Sequence, residues 1–233
     1  MDNLADKGIS LVIPVYNEED NIRKAVQDGL LMLPQLAKDF EIIVVESGST
    51  DNTGVVVDRL AEEDRRVRVI HQRAKLGLGS ALIDGFGAAR YESIFYIDGD
   101  NPFRMSEFIR GFPLLQEADI VCGYRTNRQD TFIRALYSKG FNLLMRILFG
   151  IKVRDTQIGF KLLRKSIFER VKLTTNSMFI DAELLFKAQK AGYRIVELGV
   201  EYLGKPSEKS SVTFREVAKI GGDLFRHRFG GMK

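Results

Sequence analysis

Five short apolar runs, the first four each followed by a stretch with helical spacing, constrain this chain more than any other feature. They are Ile9 to Val15, Glu41 to Glu46, Val67 to His71, Ile94 to Ile97 and Asp119 to Gly123. Each is too short for a stable helix and rich in β-branched or aromatic residues, so each reads as a strand. Ile42-Ile43-Val44-Val45 has no polar alternation, the mark of a strand covered on both faces. Pro14 lacks an amide donor and belongs near the end of its strand. Helices are expected from the polar loop Tyr16 to Asn21 as far as about Leu33, over Asn52 to Asp64, from Gly77 to about Arg90, and over Met105 to Glu117. Four strand–helix alternations predict parallel strands, right-handed crossovers and helices on both faces of the sheet. A chain of 233 residues is long enough to bury a core of that kind.

The fourth run stops abruptly in Asp98-Gly99-Asp100. In open α/β sheets ligands bind outside the carboxyl ends of the strands. Two carboxylates around a glycine can hold a hard cation, and Mg²⁺ is commonly bound by one or two carboxylates plus substrate phosphates. Taken alone, Asp-Gly is more often a surface turn.

The remaining totals mainly exclude. One cysteine, Cys122, rules out an intrachain disulfide framework and suits a reducing compartment. Its neighbours Ile120 and Val121 make it a buried strand thiol rather than a nucleophile. His71 and His227 have no metal-ligand spacing. The acidic, polar start does not read as a secretory signal. The longest apolar candidate, Leu143 to Val153, is interrupted by Arg146 and Lys152 and falls short of the roughly 20 residues a membrane span needs. Charge is unevenly spread: residues 1–123 carry 13 basic and 21 acidic side chains, and residues 124–172 carry 12 and 3. An acidic half beside a basic half points to two binding tasks, the second for an anion. Aromatic residues do not interleave with the cations as in common RNA-binding strands, so nucleic acid is not expected.

Phe132 to Phe149 has helical character, with Arg134, Ser138, Asn142 and Arg146 on one polar stripe. Gly140 makes two shorter helices a plausible alternative. The helix either packs on the core with a basic solvent stripe or lies against a membrane surface or lipid chain. Gln157 to Leu163 reads as a strand, Lys165 to Arg170 as a short helix, Phe179 to Gly192 as a helix and Tyr193 to Tyr202 as a strand. Thr213 to Lys233 reads as a basic amphipathic helix.

Val12-Ile13-Pro14-Val15-Tyr16-Asn17-Glu18-Glu19, Glu41 to Asp51, Gly77-Leu78-Gly79 and Asp98-Gly99-Asp100 form an ordered set. With that order and spacing, the chain resembles the family 2 nucleotide-sugar glycosyltransferases over roughly residues 8–212. Within the family it resembles the dolichol-phosphate mannose synthase and polyprenyl-phosphate glycosyltransferase branch, which shares Gly123-Tyr124-Arg125 and Asp155-Thr156-Gln157-Ile158-Gly159-Phe160-Lys161. The resemblance implies a GT-A fold (Rossmann-like, α/β, mostly parallel sheet) over residues 1–211. Residues 1–123 would form a nucleotide-sugar half and 124–211 an acceptor half, with 212–233 the basic terminal helix. It implies that Pro14, Tyr16, Glu18, Glu46, Ser47, Gly79, Asp98 and Gly99 serve the donor, and that Asp98 and Asp100 hold Mg²⁺ or Mn²⁺. Arg125, Arg134, Lys209 and Ser210 would meet the acceptor phosphate. Two departures stand out: Glu46 and Ser47 replace the family's usual pair of aspartates, and Asn101-Pro102 stands where a glutamine or histidine often follows the second aspartate.

The expected function is inverting transfer of a hexose from a nucleotide sugar, of GDP-mannose or UDP-glucose type, to a polyprenyl or dolichyl phosphate. The expected setting is peripheral, on the cytoplasmic face of a membrane. Two alternatives stay open: transfer to a sugar hydroxyl with Asp155 as base, or a non-catalytic membrane- or nucleotide-binding module. For Asp155 a structural role is equally open, with Arg154 or Lys161 as partner or as a turn cap.

Overall fold

The fold is described from a computed structural model, which describes residues 4–100, 103–127 and 132–203. The element order is β1 (Ile9–Val15), α1 (Ile22–Met32), β2 (Phe40–Glu46), α2 (Thr53–Glu63), β3 (Val67–His71), α3 (Leu78–Ala88), β4 (Ser93–Ile97), α4 (Ser106–Gly111) and β5 (Ile120–Arg125). After these come α5 (Phe132–Phe149), β6 (Phe160–Arg164), α6 (Ile180–Lys190) and β7 (Ile195–Val200). The strands form one seven-stranded sheet in the order β3-β2-β1-β4-β6-β5-β7. β1, β2, β3 and β4 are mutually parallel, β5 and β7 pair in parallel, and β6 runs antiparallel to both β4 and β5.

The predicted strands β1 to β5 are all present, and β1 and β3 have the expected bounds. β1, β2 and β4 are buried along their whole length, as doubly covered parallel strands must be. Pro14 is the penultimate residue of β1. The five expected strands run in one direction, but β4 and β5 are not neighbours. β6 inserts between them, pairing Tyr96 with Lys161 and Cys122 with Lys161. The 105–117 helix breaks after Gly111 into a 3₁₀ turn over Phe112–Gln116, with Pro113 in its first turn. Proline cannot donate into a helix interior. Phe132–Phe149 is one continuous helix despite Gly140. No helix among the described residues is long and apolar enough to cross a membrane.

The core lies on both faces of β1, β4 and β6. Phe95 stacks on Phe108 with ring centroids 4.9 Å apart, and Phe108 stacks on Phe160 at 4.2 Å. This aromatic column bridges β4, α4 and β6, and so ties the two halves of the chain together. Cys122 is fully buried, and burial pushes its thiol up to about 12, which keeps it protonated and inert at neutral pH.

Candidate active site

The carboxyl ends of β1, β2 and β4 open onto one edge of the sheet. The register sets Val15 beside Glu46 and Glu46 beside His71, so the loops after β1 and β2 emerge together. They are clasped by short hydrogen bonds. The Asn17 amide donates to Ser49 Oγ at 3.0 Å, and the Thr50 amide donates to Asn17 Oδ1 at 2.8 Å. The Glu18 amide donates to Thr53 Oγ1 at 2.8 Å, and the Asn52 amide to Glu19 Oε2 at 2.9 Å. Asn17 takes a left-handed conformation, φ 57°, which asparagine tolerates better than most residues.

Pro14 and Ser47 are buried at the base of this edge, and the Ser47 amide donates to Val15 O. Tyr16 is half-buried with the Lys75 ammonium 3.7 Å from its ring centre, close enough for a cation–π contact. Glu46 is buried and accepts from the Ser49 amide at 2.5 Å. Burial would raise its carboxyl, but hydrogen bonds from Ser49, His71 and the Gly48 amide hold it below its ordinary value. Gly79 is placed differently: its amide donates to Asn176 O at 3.1 Å, and a Cβ there would overlap the Thr175 carbonyl. Gly77 and Gly79 let α3 press against the 175–176 backbone.

Asp98 and Gly99 close the same edge. A Cβ on Gly99 would crowd Val15, the Pro14 carbonyl and Glu18, so the β4 exit passes tightly under β1. Asp98 Oδ1 accepts from Tyr96 Oη at 3.0 Å. Its other side lies flush on Gly159, where any Cβ would overlap the carboxylate. Burial raises the Asp98 carboxyl, against the pull of Tyr96, Lys161 and Arg125. Beneath it, Lys161 is fully buried and donates to Asp181 Oδ1 at 2.6 Å and to Ile158 O at 2.5 Å. Burial would lower the Lys161 ammonium, but the adjoining Asp181 carboxylate raises it. Burial also pushes Asp181 up to about 6, with Asp98 and Asp155 adding to the rise and Lys161 opposing it.

Asp98 and Asp100 offer hard carboxylate oxygens, which suit Mg²⁺ or Mn²⁺. Among the described residues no group of three His, Cys, Asp or Glu side chains could cage an ion. Asn101 and Pro102 lie outside the described residues.

Arg125 and Asp155 sit beside this edge on the far side of β6. Asp155 is 4% exposed, and its Oδ2 lies 3.7 Å from Arg125 Nε. Arg125 Nε is buried with no hydrogen-bond partner among the described residues, and its guanidinium carbon lies 5.1 Å from the centre of the Tyr202 ring. The partners expected for Asp155 are engaged elsewhere. Arg154 Nε is 3.7 Å from Glu197 and its guanidinium stacks over Tyr124, while Lys161 holds Asp181. Asn142 accepts from the Thr156 amide and hydroxyl, fixing α5 against the Asp155 loop. A cleft of about 360 Å³ opens between Arg125, Lys139, Asn142, Arg146, Arg154 and Asp155. Next to it α5 exposes Leu143, Leu144 and Ile147. A larger hollow of about 930 Å³ includes Arg90, Glu92, Lys165 and Lys172. It sits at the opposite end of β4, away from every strand end described above.

Of the expected acceptor residues, Arg125 is at this cleft. Arg134 is in α5, but its side chain lies outside the described residues, as do Lys209, Ser210 and the expected 212–233 helix. Arg146, Arg154 and Lys139 were not singled out as acceptor residues. Arg146 was visible on the α5 stripe, but the other two had no motif to mark them.

A family model described as "Glycosyl transferase family 2" matches residues 10–172. The chain belongs to that family. The chain is similar to the human dolichyl-phosphate β-glucosyltransferase, 30% identical over 240 residues covering 94% of this chain and 74% of that protein. The polyprenol monophosphomannose synthase of Mycolicibacterium smegmatis is 30% identical, with 89% of this chain and 83% of that protein covered. Glycosyltransferase AglD of Haloferax volcanii is 34% identical over 94% of this chain, which spans only 36% of AglD. Among solved structures, glucosyl-3-phosphoglycerate synthase of Mycobacterium tuberculosis superposes with a TM-score of 0.75 at 19% identity, covering 97% of this chain and 81% of that one. That likeness shows the GT-A fold. The same enzyme has been solved with Mn²⁺ and UDP-glucose.

Proposed function

We propose that this family 2 glycosyltransferase moves a hexose from a nucleotide sugar to a polyprenyl or dolichyl phosphate at a membrane surface, with inversion at the anomeric carbon. The observation that carries the acceptor is the cationic cleft, whose Arg125 Nε is buried beside Asp155 and takes part in no hydrogen bond among the described residues, directly beside a row of exposed apolar side chains on α5. Cations and an apolar strip side by side match a ligand with a phosphate head and a hydrocarbon tail. The named activities of the dolichyl-phosphate and polyprenol relatives support the same choice.

In this reading Pro14, Tyr16, Glu18, Glu46 and Ser47 receive the nucleoside, and Asp98, Gly99 and Asp100 face the diphosphate. Asp98 and Asp100 would hold Mg²⁺ or Mn²⁺, which when bound would supply countercharge for the diphosphate. Arg125, with Lys139 and Arg146, draws the lipid phosphate toward the sugar. Its oxygen is already anionic at neutral pH, so it attacks the anomeric carbon without a base. The new bond between the phosphate oxygen and the anomeric carbon forms as the anomeric carbon's bond to the nucleoside diphosphate oxygen breaks. Asp155 then holds Arg125 in place rather than removing a proton.

The test offers GDP-mannose and UDP-glucose with a short polyprenyl phosphate or with a free sugar acceptor. Product on the lipid phosphate is expected. Product on the sugar hydroxyl alone would return Asp155 to the role of base, and no turnover with either acceptor would favour a binding module.

A further inference from the structure

His71 ends β3 directly beside Glu46 and is bracketed by two carboxylates. Its Nδ1 lies 3.2 Å from Glu46 Oε2, and its Nε2 lies 2.8 Å from Asp58 Oδ1 on α2. Ionised carboxylates only accept hydrogen bonds, and a neutral imidazole has a single N–H. Both contacts are therefore hydrogen bonds only when both ring nitrogens carry protons. The groups that act on the ring's titration are Asp58 from α2 and Glu46 from β2, both acidic, and together they raise it above its ordinary 6.5 against the effect of burial. Glu46 has one more rotatable bond than the aspartate usual at this place in the family, hence more rotamer freedom to restrain. The Ser49 amide sits on Oε1 and His71 on Oε2, with the Gly48 amide and the Ser49 side chain also holding the carboxylate.

We propose that His71, as an imidazolium anchored on Asp58, is a positioning residue that clamps Glu46 for the donor nucleoside, so that donor affinity falls when His71 loses its proton. This rests on the donor-site reading above and adds a pH control to it. Protonated, the ring holds the carboxylate where a ribose hydroxyl or base N–H can donate to it. Deprotonated at Nδ1, it turns a lone pair toward the carboxylate, and the clamp opens.

The test measures binding of UDP and of GDP, each with Mg²⁺, by calorimetry from about pH 5.5 to about pH 8.5, the range of histidine titration. The quantity read is the ratio of the Kd of His71→Gln to that of the wild type, which cancels the nucleotide's own titration. The ratio should be roughly threefold to tenfold at the acid end, as for one half-exposed charge-assisted contact. It should fall to one or below at the alkaline end. Asp58→Asn, at an exposed position on α2, should shift that fall to lower pH, and NMR of the His71 ring should show the same downward shift. A ratio constant with pH, whatever its value, overturns the clamp, and so does an Asp58→Asn curve superimposed on the wild type. A wild-type protein that binds neither nucleotide overturns the donor-site reading itself, and the clamp with it.

Discussion

The two flanks of β6 handle charge in opposite ways. On the β1–β2–β4 edge the acidic groups are tied down by hydrogen bonds: Glu19 to Asn52, Asp51 to Thr53, Glu46 to Ser49. On the β5–α5 side the cations are held more loosely, stacked near rings with a carboxylate at 3.7 Å: Arg154 over Tyr124 and beside Glu197, Arg125 near Tyr202 and beside Asp155. Under the proposed function, a compact nucleotide donor suits a prebuilt edge. Under the same proposal, an acceptor with a long apolar tail suits an open surface whose cations are oriented by rings and by carboxylates 3.7 Å away. Lys161 and Asp181 lie under the seam between the two and hold a fixed pair of charges there.

The largest effect tests that seam. Lys161→Met leaves Asp181 buried without its cation, and about 3–5 kcal/mol of stability should go. Urea unfolding measures it, and pairing the change with Asp181→Leu should restore most of the loss, because a buried ion pair replaced by packed apolar groups is often neutral. A loss below 1 kcal/mol (about the worth of a surface pair) would show that the two halves do not depend on this pair.

On the donor edge, Asp100→Ala should leave the fold intact by circular dichroism and lower turnover by roughly 10²–10³, as loss of one transition-state electrostatic contact does. Unchanged turnover would remove the acidic edge from the chemistry. On the acceptor side, Arg125→Ala should raise the KM for lipid phosphate by the equivalent of about 1.5–3 kcal/mol while leaving the Kd of the nucleotide alone. If the nucleotide Kd moved as much, the two flanks would be one site rather than two.

The smallest effect concerns the frame behind α3. Glu183 is buried and accepts from the Thr174 and Thr175 amides, the Thr174 hydroxyl and Lys187. Burial would raise its carboxyl, but these donors hold it below its ordinary 4.5. Its ionised form thus stabilises the fold above that value, and the contribution fades as pH falls through the lowered one. Glu183→Gln should cost about 1–3 kcal/mol at pH 7, and the gap to wild type should narrow in acid, as thermal melts at several pH values would read. A gap independent of pH would place the loss in packing instead.

The strand ends, with Asp98-Gly99-Asp100 at the end of β4, were legible because parallel, doubly covered strands are unbroken apolar runs that stop abruptly. Gly79 was legible only as a glycine. Its neighbour, the 175–176 backbone, is nearly a hundred residues away in sequence, and a one-dimensional pattern carries no such contact. His71 looked isolated for the same reason, since its partners Glu46 and Asp58 come from two other elements. The partner of Asp155 was sought in Arg154 and Lys161, near in sequence, whereas the group beside it is Arg125 at the end of β5.

By itself, then, the sequence determined the elements, the burial of β1, β2 and β4, the acidic and basic halves, and through its ordered motifs the family. Only the tertiary structure decided that β6 enters antiparallel between β4 and β5, because periodicity identifies a strand but not its neighbours. That insertion sets Gly159 against Asp98 and Lys161 beneath it, and so brings a carboxylate from the first half within the field of cations from the second.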